Sequence, residues 1–499
     1  MKSIVVLFDE KNKYEDEKVF DGKSAVELCA SAAASLDLPV KTIDGLTTIA
    51  QLVGELSSIC SQTQSDALIF SFADCPFLNK PLVNELLDTH FDYKAEYTFA
   101  EGYPEGFAPV VIDKGTLAIL DQLCKTTAAQ AGEQKITRSA LFDLIKTDIN
   151  SFEIETVLAP VDWRLYRFAF DCRKKETFIA CQKLYQLIKN GADAASAAKL
   201  SELAAKTDDI LKTVPAFYNM QLAQKCRASC SCCPYPAAIQ KTSGVTADKA
   251  TGLMDTAKAL ELINQISEYS GEAVVGLSAW GECFNHPDLM KIIEKILSYP
   301  GLSVFIEADG NSIPPEFAQN LKKLADSACE RTNGWQKVMI VVSMDGFTEQ
   351  TCKKLRGNDF DLALAVENVK KLEEAVPGCV FPQLVRMNTN EAELESFFRY
   401  WKEKSNASNG DFIIQKYNSF AGLLPNEEPA DLSPLDRNPC WHVRRDMTIL
   451  YNGECPLCSC RVLDDIKGNV FEQGIEAVWK NLKEDNKCGG CDEYYTFNF

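Results

Sequence analysis

An α/β protein of more than one domain is what this sequence predicts, and three observations predict it. Apolar runs of strand length alternate with amphipathic stretches of helical period, in two separate series. The chain has 499 residues, enough for two to four domains at roughly 100–200 residues each. Hydrophobic residues are 46% and charged residues 25% of it, an ordinary globular composition that excludes long disorder, collagen and a disulfide miniprotein.

The first series occupies residues 1–175. IVVLF (4–8), ALIFSF (67–72) and APVVI (108–112) read as buried strands, and residues 23–36 and 82–91 carry helix-period apolar positions. Residues 176–217 are almost all helix formers, interrupted at Gly191, and predict a helical bridge between domains. A second series runs over 218–430. Its strands are expected at 274–280, 303–309, 338–345, 380–387 and 411–417, with one more just before Cys226 and helices such as 259–269, 287–297 and 362–376 between them. Regular alternation predicts parallel strands with crossover helices. About six units fall short of the eight of a closed barrel, so a partial (β/α)6 barrel is expected. Residues 431–499 form a small cysteine-rich tail.

Lys and Arg total 52 against 71 Asp and Glu, a net charge of −19. Such a surface repels nucleic-acid phosphates and anionic lipid, so neither nucleic acid nor a membrane is expected as a partner. No apolar run approaches the roughly 18 residues of a membrane helix. The opening stretch breaks at Asp9 and Glu10, too soon for a signal-peptide core. A cytoplasmic protein with reduced thiols is expected.

In that setting the 20 cysteines are the main chemical signal. Scattered singles read as small buried hydrophobes. Two dense groups read as metal sites: Cys226, Cys230, Cys232 and Cys233, then Cys440, Cys455, Cys458, Cys460, Cys488 and Cys491. The first, Cys226-Arg227-Ala228-Ser229-Cys230-Ser231-Cys232-Cys233, contains C-x3-C-x2-C. Zinc usually takes four ligands, and the three histidines, His90, His286 and His442, are remote in sequence. Three thiolates on a four-iron cluster leave one iron open for a small chelating ligand.

This spacing resembles the signature of the radical S-adenosylmethionine (SAM) enzymes. The resemblance implies a [4Fe–4S] cluster on Cys226, Cys230 and Cys233, with SAM chelating the fourth iron. Cys232 stands where that family commonly has an aromatic residue, leaving open which of Cys232 and Cys233 is the ligand; spacing favours Cys233. Trp280-Gly281-Glu282-Cys283 is similar to the family's Gly-Glu-Pro segment, so Gly281 and Glu282 would meet the SAM ammonium. Glu307-Ala308-Asp309-Gly310 resembles the strand end bordering the adenosine. Ser343-Met344-Asp345-Gly346 and then Leu355-Arg356-Gly357 resemble the next strand and its arginine. Ser343 and Arg356 would anchor the SAM carboxylate, and Asp345 would line the substrate side. Gln383-Leu384-Val385-Arg386 matches a fifth strand contacting ribose and adenine. The implied chemistry is reductive SAM cleavage to a 5′-deoxyadenosyl radical that abstracts hydrogen from substrate, with electrons from a donor such as flavodoxin or ferredoxin.

The tail continues this pattern. Asn438-Pro439-Cys440-Trp441 opens it, Asn452-Gly453 is a hairpin signal, and Cys458 follows Gly453 with four residues between. Gly468-Asn469, a helix ending in Trp479 and Cys488-Gly489-Gly490-Cys491 complete it. This resembles the SPASM extension, which implies one auxiliary [4Fe–4S] cluster on Cys440, Cys458, Cys488 and Cys491. Cys455 and Cys460 are extra, and spacing leaves open whether either replaces Cys458 or both are inert; a structural zinc knuckle on the same four cysteines is the alternative.

In the first domain, Ser71-Phe72-Ala73-Asp74-Cys75-Pro76 ends a buried strand, where a carboxylate suits divalent metal or simply solvates a turn. With Tyr103-Pro104-Glu105-Gly106 and Arg167-Phe168-Ala169-Phe170-Asp171, it resembles the cytidylyltransferases of sugar-nucleotide synthesis, a nucleotidyltransferase-like α/β sandwich. The loop after the first strand, Asp9 to Lys18, has no glycine or arginine and five carboxylates. It would repel a triphosphate, so a relative without transferase activity is expected. The whole order resembles the fused SPASM proteins of spirochetes. The substrate implied is a peptide or a glycan or nucleotide-linked molecule. The rival expectations are a non-catalytic iron–sulfur scaffold or sensor, and an active cytidylyltransferase with a regulatory iron–sulfur domain.

Overall fold

The computed structural model describes residues 2–491 apart from 133, 228, 333, 405–410, 431–439, 485–487 and 489–490. The chain divides into two compact units, Met1–Thr213 and Val214–Phe499.

The first unit is a mixed sheet covered on both faces. Its strands are β1 (Ser3–Asp9), β2 (Val40–Asp44), β3 (Ala67–Phe72), β4 (Tyr97–Glu101), β5 (Val110–Asp113) and β6 (Ile154–Leu158), in the order β2-β1-β3-β5-β4-β6. β5 runs antiparallel to both its neighbours; the other pairs are parallel. Alternation explains the two layers. Val5, Leu7, Ala67 and Ile69 join one core, while Ile4, Val6, Leu68 and Phe70 join the other. A strand buried on both faces reads as a continuous apolar run, which is why β1 and β3 are legible in sequence.

The helices expected as a bridge lie inside this unit. Phe178, Cys181 and Leu184 of Lys175–Lys189 and Leu200 and Ala204 of Ala197–Ala205 belong to the core under β1 and β3. Their apolar stripe needs a surface to cover, and this sheet provides it.

The second unit is a seven-stranded sheet, curled as a half-barrel. β7 (Phe217–Met220), β8 (Ala273–Gly276), β9 (Leu302–Ala308), β10 (Val338–Ser343), β11 (Val380–Arg386), β12 (Ile413–Lys416) and β13 (Asp446–Ile449) lie in the order β12-β11-β10-β9-β8-β7-β13. Every pairing is parallel. Helices Thr256–Ser270, Leu289–Leu297, Phe317–Ser327 and Leu362–Ala375 bury their apolar faces on one side, against Val304, Ile306, Ile340 and Val342. The alternate residues, among them Phe305, Glu307, Val341, Ser343 and Gln383, are left for the inner face.

Two expectations are corrected here. The sheet has a seventh strand, and it comes from the tail: β13 pairs with β7, with Met447 beside Tyr218 and Thr448 beside Asn219. The Asn452-Gly453 turn forms, with Gly453 N donating to Leu450 O at 2.9 Å and Leu450 N to Glu454 O at 2.8 Å. It does not join a hairpin of paired flanks, however. β14 (Glu454–Pro456) pairs instead with β15 (Ile466–Asn469), antiparallel, so the turn carries the chain from the barrel sheet to a separate ribbon. No helix among the described residues is long and apolar enough to cross a membrane.

Candidate functional site

The first cysteine group lies on the loop that leaves the C-terminal end of β7 and enters the helix Tyr235–Ser243. Its backbone donors are satisfied without the thiols: Cys226 N reaches Ala247 O at 3.0 Å, Ser231 N reaches Leu355 O at 2.7 Å and Cys233 N reaches Cys230 O at 3.1 Å. Cys226 and Cys233 pack in one small cluster with Tyr235, Ile239 and Trp280. Cys232 turns away to Leu355, Met387 and Tyr417, and its thiol donates to Asp345 Oδ2 at 3.8 Å. Burial pushes the Cys230, Cys232 and Cys233 thiols up, and the Arg356 guanidinium pulls each back down.

The next turn, after β8, approaches this loop closely. Gly281 has φ +101°, and a Cβ there would stand 2.0 Å from Ala223 O, so only glycine fits. Glu282 N then donates to Lys225 O at 2.9 Å, which aims the side chain inward. Glu282 is 4% exposed. Its carboxylate accepts from Asp309 N at 3.4 Å and from the Cys283 thiol at 3.7 Å, but Arg227 pairs with Asp309 instead. Burial first, and the Asp309 charge second, push Glu282 up to about 8. A buried carboxylate without a cation is costly, and a cationic or amino ligand would relieve it.

Ser343 and Arg356 are both engaged with carboxylates of the chain. Ser343 Oγ donates to Glu307 Oε1 and accepts from Gln383 Nε2, each at 3.0 Å, and Gln383 also reaches Glu307 at 3.0 Å. This row crosses β9, β10 and β11 on the inner face and holds the exposed Glu307 carboxylate upright. A ligand carboxylate placed at Ser343 would face Glu307. Arg356 Nη1 is 2.5 Å from Asp345 Oδ2, and both residues are buried. Glu307 is the inner-face residue without a specific role in the sequence reading; the signal was its place one turn of alternation before Asp309.

Most of the second cysteine group converges on one small cavity, lined by Cys440, His442, Cys458, Cys460, Cys488 and Cys491 with Arg461 and Ala421. Cys455 does not line it: it is buried on β14 with its thiol toward Gly453 O. His442, missed in sequence, is on the cavity wall and bonds Asp446 through Nδ1 at 2.5 Å. It lies two residues from Cys440, a spacing that was readable. A hydrogen bond from Cys460, with help from His442, holds the Cys458 thiol below its ordinary value; burial pushes Cys440 up to about 11. Asn438, Pro439, Gly489 and Gly490 lie outside the described residues. Among the described residues no three His, Cys, Asp or Glu side chains are gathered to hold a single ion. Cys440, Cys458, Cys488 and Cys491 all line this cavity, so the four thiols the sequence pointed to are the ones the fold brings to one place.

In the first unit, Asp74 is 1% exposed and is occupied by the chain itself. Arg138 Nη2 lies 2.6 Å from Asp74 and 2.9 Å from Glu10, and its guanidinium stacks 3.8 Å above the Phe72 ring. Asn12 adds a bond to Asp74 at 3.2 Å. Asp171 is paired with Arg173 at 3.3 Å. The strand-end carboxylates thus meet internal cations where a metal would otherwise neutralise them.

Comparison with known proteins places the chain. No family model matches the sequence. Among solved structures, Streptococcus suis SuiB bound to precursor peptide SuiA is similar at TM-score 0.44 and 12% identity, covering 80% of this chain and 93% of that one. A cytidylyltransferase from Leptospira borgpetersenii is similar at TM-score 0.34 and 12% identity, covering 42% of this chain and 97% of that one. An uncharacterized protein of Treponema pallidum (strain Nichols) is 35% identical over 379 residues, which is 72% of this chain and 99% of that protein. With that identity over almost the whole length of its relative, the chain belongs to the same family as the Treponema pallidum protein.

Proposed function

We propose that the chain is a radical SAM enzyme of the SPASM subgroup. Its second unit would hold a [4Fe–4S] cluster on Cys226, Cys230 and Cys233 with SAM beside it, and an auxiliary cluster on Cys440, Cys458, Cys488 and Cys491. The observation that carries this reading is that the loop bearing Cys226, Cys230 and Cys233 is bonded at Lys225 to the turn bearing Glu282, a buried carboxylate that lacks a cation among the described residues. When bound, the cluster and SAM supply a 5′-deoxyadenosyl radical that takes a hydrogen atom from substrate. Gly281 lets its turn reach the cysteine loop, and Glu282 accepts from the ligand's amino group. The inner face supplies a carboxylate, Glu307, fixed by Ser343 and Gln383, for polar groups of a ligand. Phe217 and Phe305, half-buried and 5.8 Å apart, make their part of the inner face apolar. The substrate would be a peptide or a glycan or nucleotide-linked molecule, and the electron donor a flavodoxin or ferredoxin type protein.

The test is anaerobic purification of the full chain. About eight irons per chain are expected, as two four-iron clusters, with 5′-deoxyadenosine released from SAM after reduction. A fully loaded, reduced protein whose cluster EPR spectrum is unchanged by SAM would overturn the reading and favour the scaffold or sensor alternative. In the same preparation, CTP and sugar phosphates should release no pyrophosphate, because Arg138 already occupies Asp74 and Glu10.

Glu282 gives a pH prediction for the iron-free protein. Its folded value, about 8, lies above its ordinary 4.5, so the folded state holds the proton more tightly. Stability is full below pH 4.5 and is lost as pH rises toward 8, on the order of 5 kcal/mol for a fully buried group. Melting of the second unit should therefore drop between pH 5 and 8, and Glu282→Gln should remove most of the drop. An equal drop in the variant would show that Glu282 is not the titrating group.

A further inference from the structure

We propose that Arg356 is a positioning residue for the three-thiol site: a buried guanidinium that answers the negative charge gathered at Cys230, and not the carboxylate of a bound ligand. The inference rests on the radical SAM reading above and deepens it.

Four observations meet at this side chain. Arg356 is 7% exposed, and its Nε has no hydrogen-bond partner in a buried position, so one N–H edge is left over. Its Nη1 is held by Asp345, whose other oxygen accepts from Val385 N at 2.9 Å. Asp345 has a left-handed backbone, φ +59°, which is strained for a non-glycine residue. Asn390 locks it, donating to Asp345 O and to Val385 O, each at 2.8 Å. The cysteine loop wraps this same point: Ser229 N reaches Arg356 O at 3.4 Å, Ser231 N reaches Leu355 O, and the Cys232 thiol reaches the Asp345 carboxylate. On the far side the Phe360 ring covers the guanidinium at 5.4 Å.

A ligand carboxylate approaching Arg356 would have to share it with Asp345, a full anion already in contact. A cluster on three thiolates is different, because it gains negative charge when it is reduced. A buried cation against the loop that carries those thiols, where Ser229 and Ser231 on either side of Cys230 bond to Arg356 O and Leu355 O, stabilises the reduced form and raises the potential. Asp345 opposes this from the other end of the pair, while fixing where the guanidinium stands.

The opposed charges give the test its signs. The full chain is loaded with iron anaerobically and titrated potentiometrically without SAM, following the EPR signal of the SAM-site cluster. Arg356→Gln is expected to shift the midpoint more negative, Arg356→Lys to keep it near the wild type, and Asp345→Asn to shift it more positive. SAM affinity should change less than about threefold in Arg356→Lys. Identical midpoints in Arg356→Gln and Asp345→Asn, or shifts of the same sign, overturn the proposal. So does an unchanged midpoint with SAM affinity reduced about tenfold or more, the signature of a ligand anchor. If Arg356→Gln fails to retain iron, Arg356→Lys and Asp345→Asn still decide the sign. Wild-type protein whose cluster ignores SAM would instead sink the functional reading itself.

Discussion

Replacing Cys230 by alanine is expected to abolish SAM cleavage and to leave about half of the iron, that of the tail site. The argument is one of ligand number. Three thiolates hold a four-iron cluster with one iron open, and two do not complete the set. Cys230 sits between its partners, with its carbonyl accepting from Cys233 N, and alanine keeps that backbone bond. The loss is therefore chemical and not a collapse of the loop. Members of a unit acting together lose nearly everything when one goes, so 5′-deoxyadenosine formation should fall at least about a thousandfold. Cys233→Ala should behave the same way. Cys232→Ala should keep both iron and cleavage, because Cys232 faces Asp345, Met387 and Tyr417. Iron and 5′-deoxyadenosine assays on the three variants check this, and loss of iron in Cys232→Ala alone would reverse the ligand assignment. Cys329, exposed on the surface, is the control position.

Replacing Cys488 by alanine is expected to remove the other half of the iron and to spare the SAM-site cluster. Here the consequence is also structural. The cavity gathers Cys440 from before β13, Cys458 and Cys460 from after β14, and Cys488 and Cys491 from the end of the described chain. Whatever fills it cross-links three segments, much as a bound metal stabilises a small domain outright. β13 is hydrogen-bonded to β7, so loosening the tail frays the edge of the barrel sheet as well. Iron analysis should give about four per chain, and the thermal transition of the second unit should move down. Cys455→Ala should leave iron unchanged, since that thiol points to Gly453 O and does not line the cavity. Wild-type protein carrying about four irons and one zinc would assign the tail to a zinc site instead.

The comparison of the two cysteine groups shows where the sequence carried information. Spacing within a loop is local, so C-x3-C-x2-C could be read directly and points to three thiols on one object. Which sulfurs converge depends on what packs around them. Cys232 and Cys233 are adjacent in sequence and belong to different side-chain clusters, and Cys455 and Cys460 part company in the same way. Only the fold around β7, β10 and the tail separates them.

The apolar periodicity of this chain determined its α/β class, the fully buried strands β1, β3 and β8, the largely buried β9–β11, and the crossover helices, because burial on a two-residue or 3.6-residue period is written into the order of residues. It did not reveal β2 or β6, edge strands with mostly exposed or half-buried side chains, since an edge leaves little apolar pattern to read. The tertiary structure alone decided the nonlocal partnerships. β13 crossed from the tail to β7, the helices over 175–205 joined the first unit's core, and Arg138 took Asp74. Likewise Ser343 went to Glu307 and Arg356 to Asp345. Each is a pairing between groups distant along the chain or on separate elements, and a turn signal or a charged residue does not say which partner the packed fold will bring within reach.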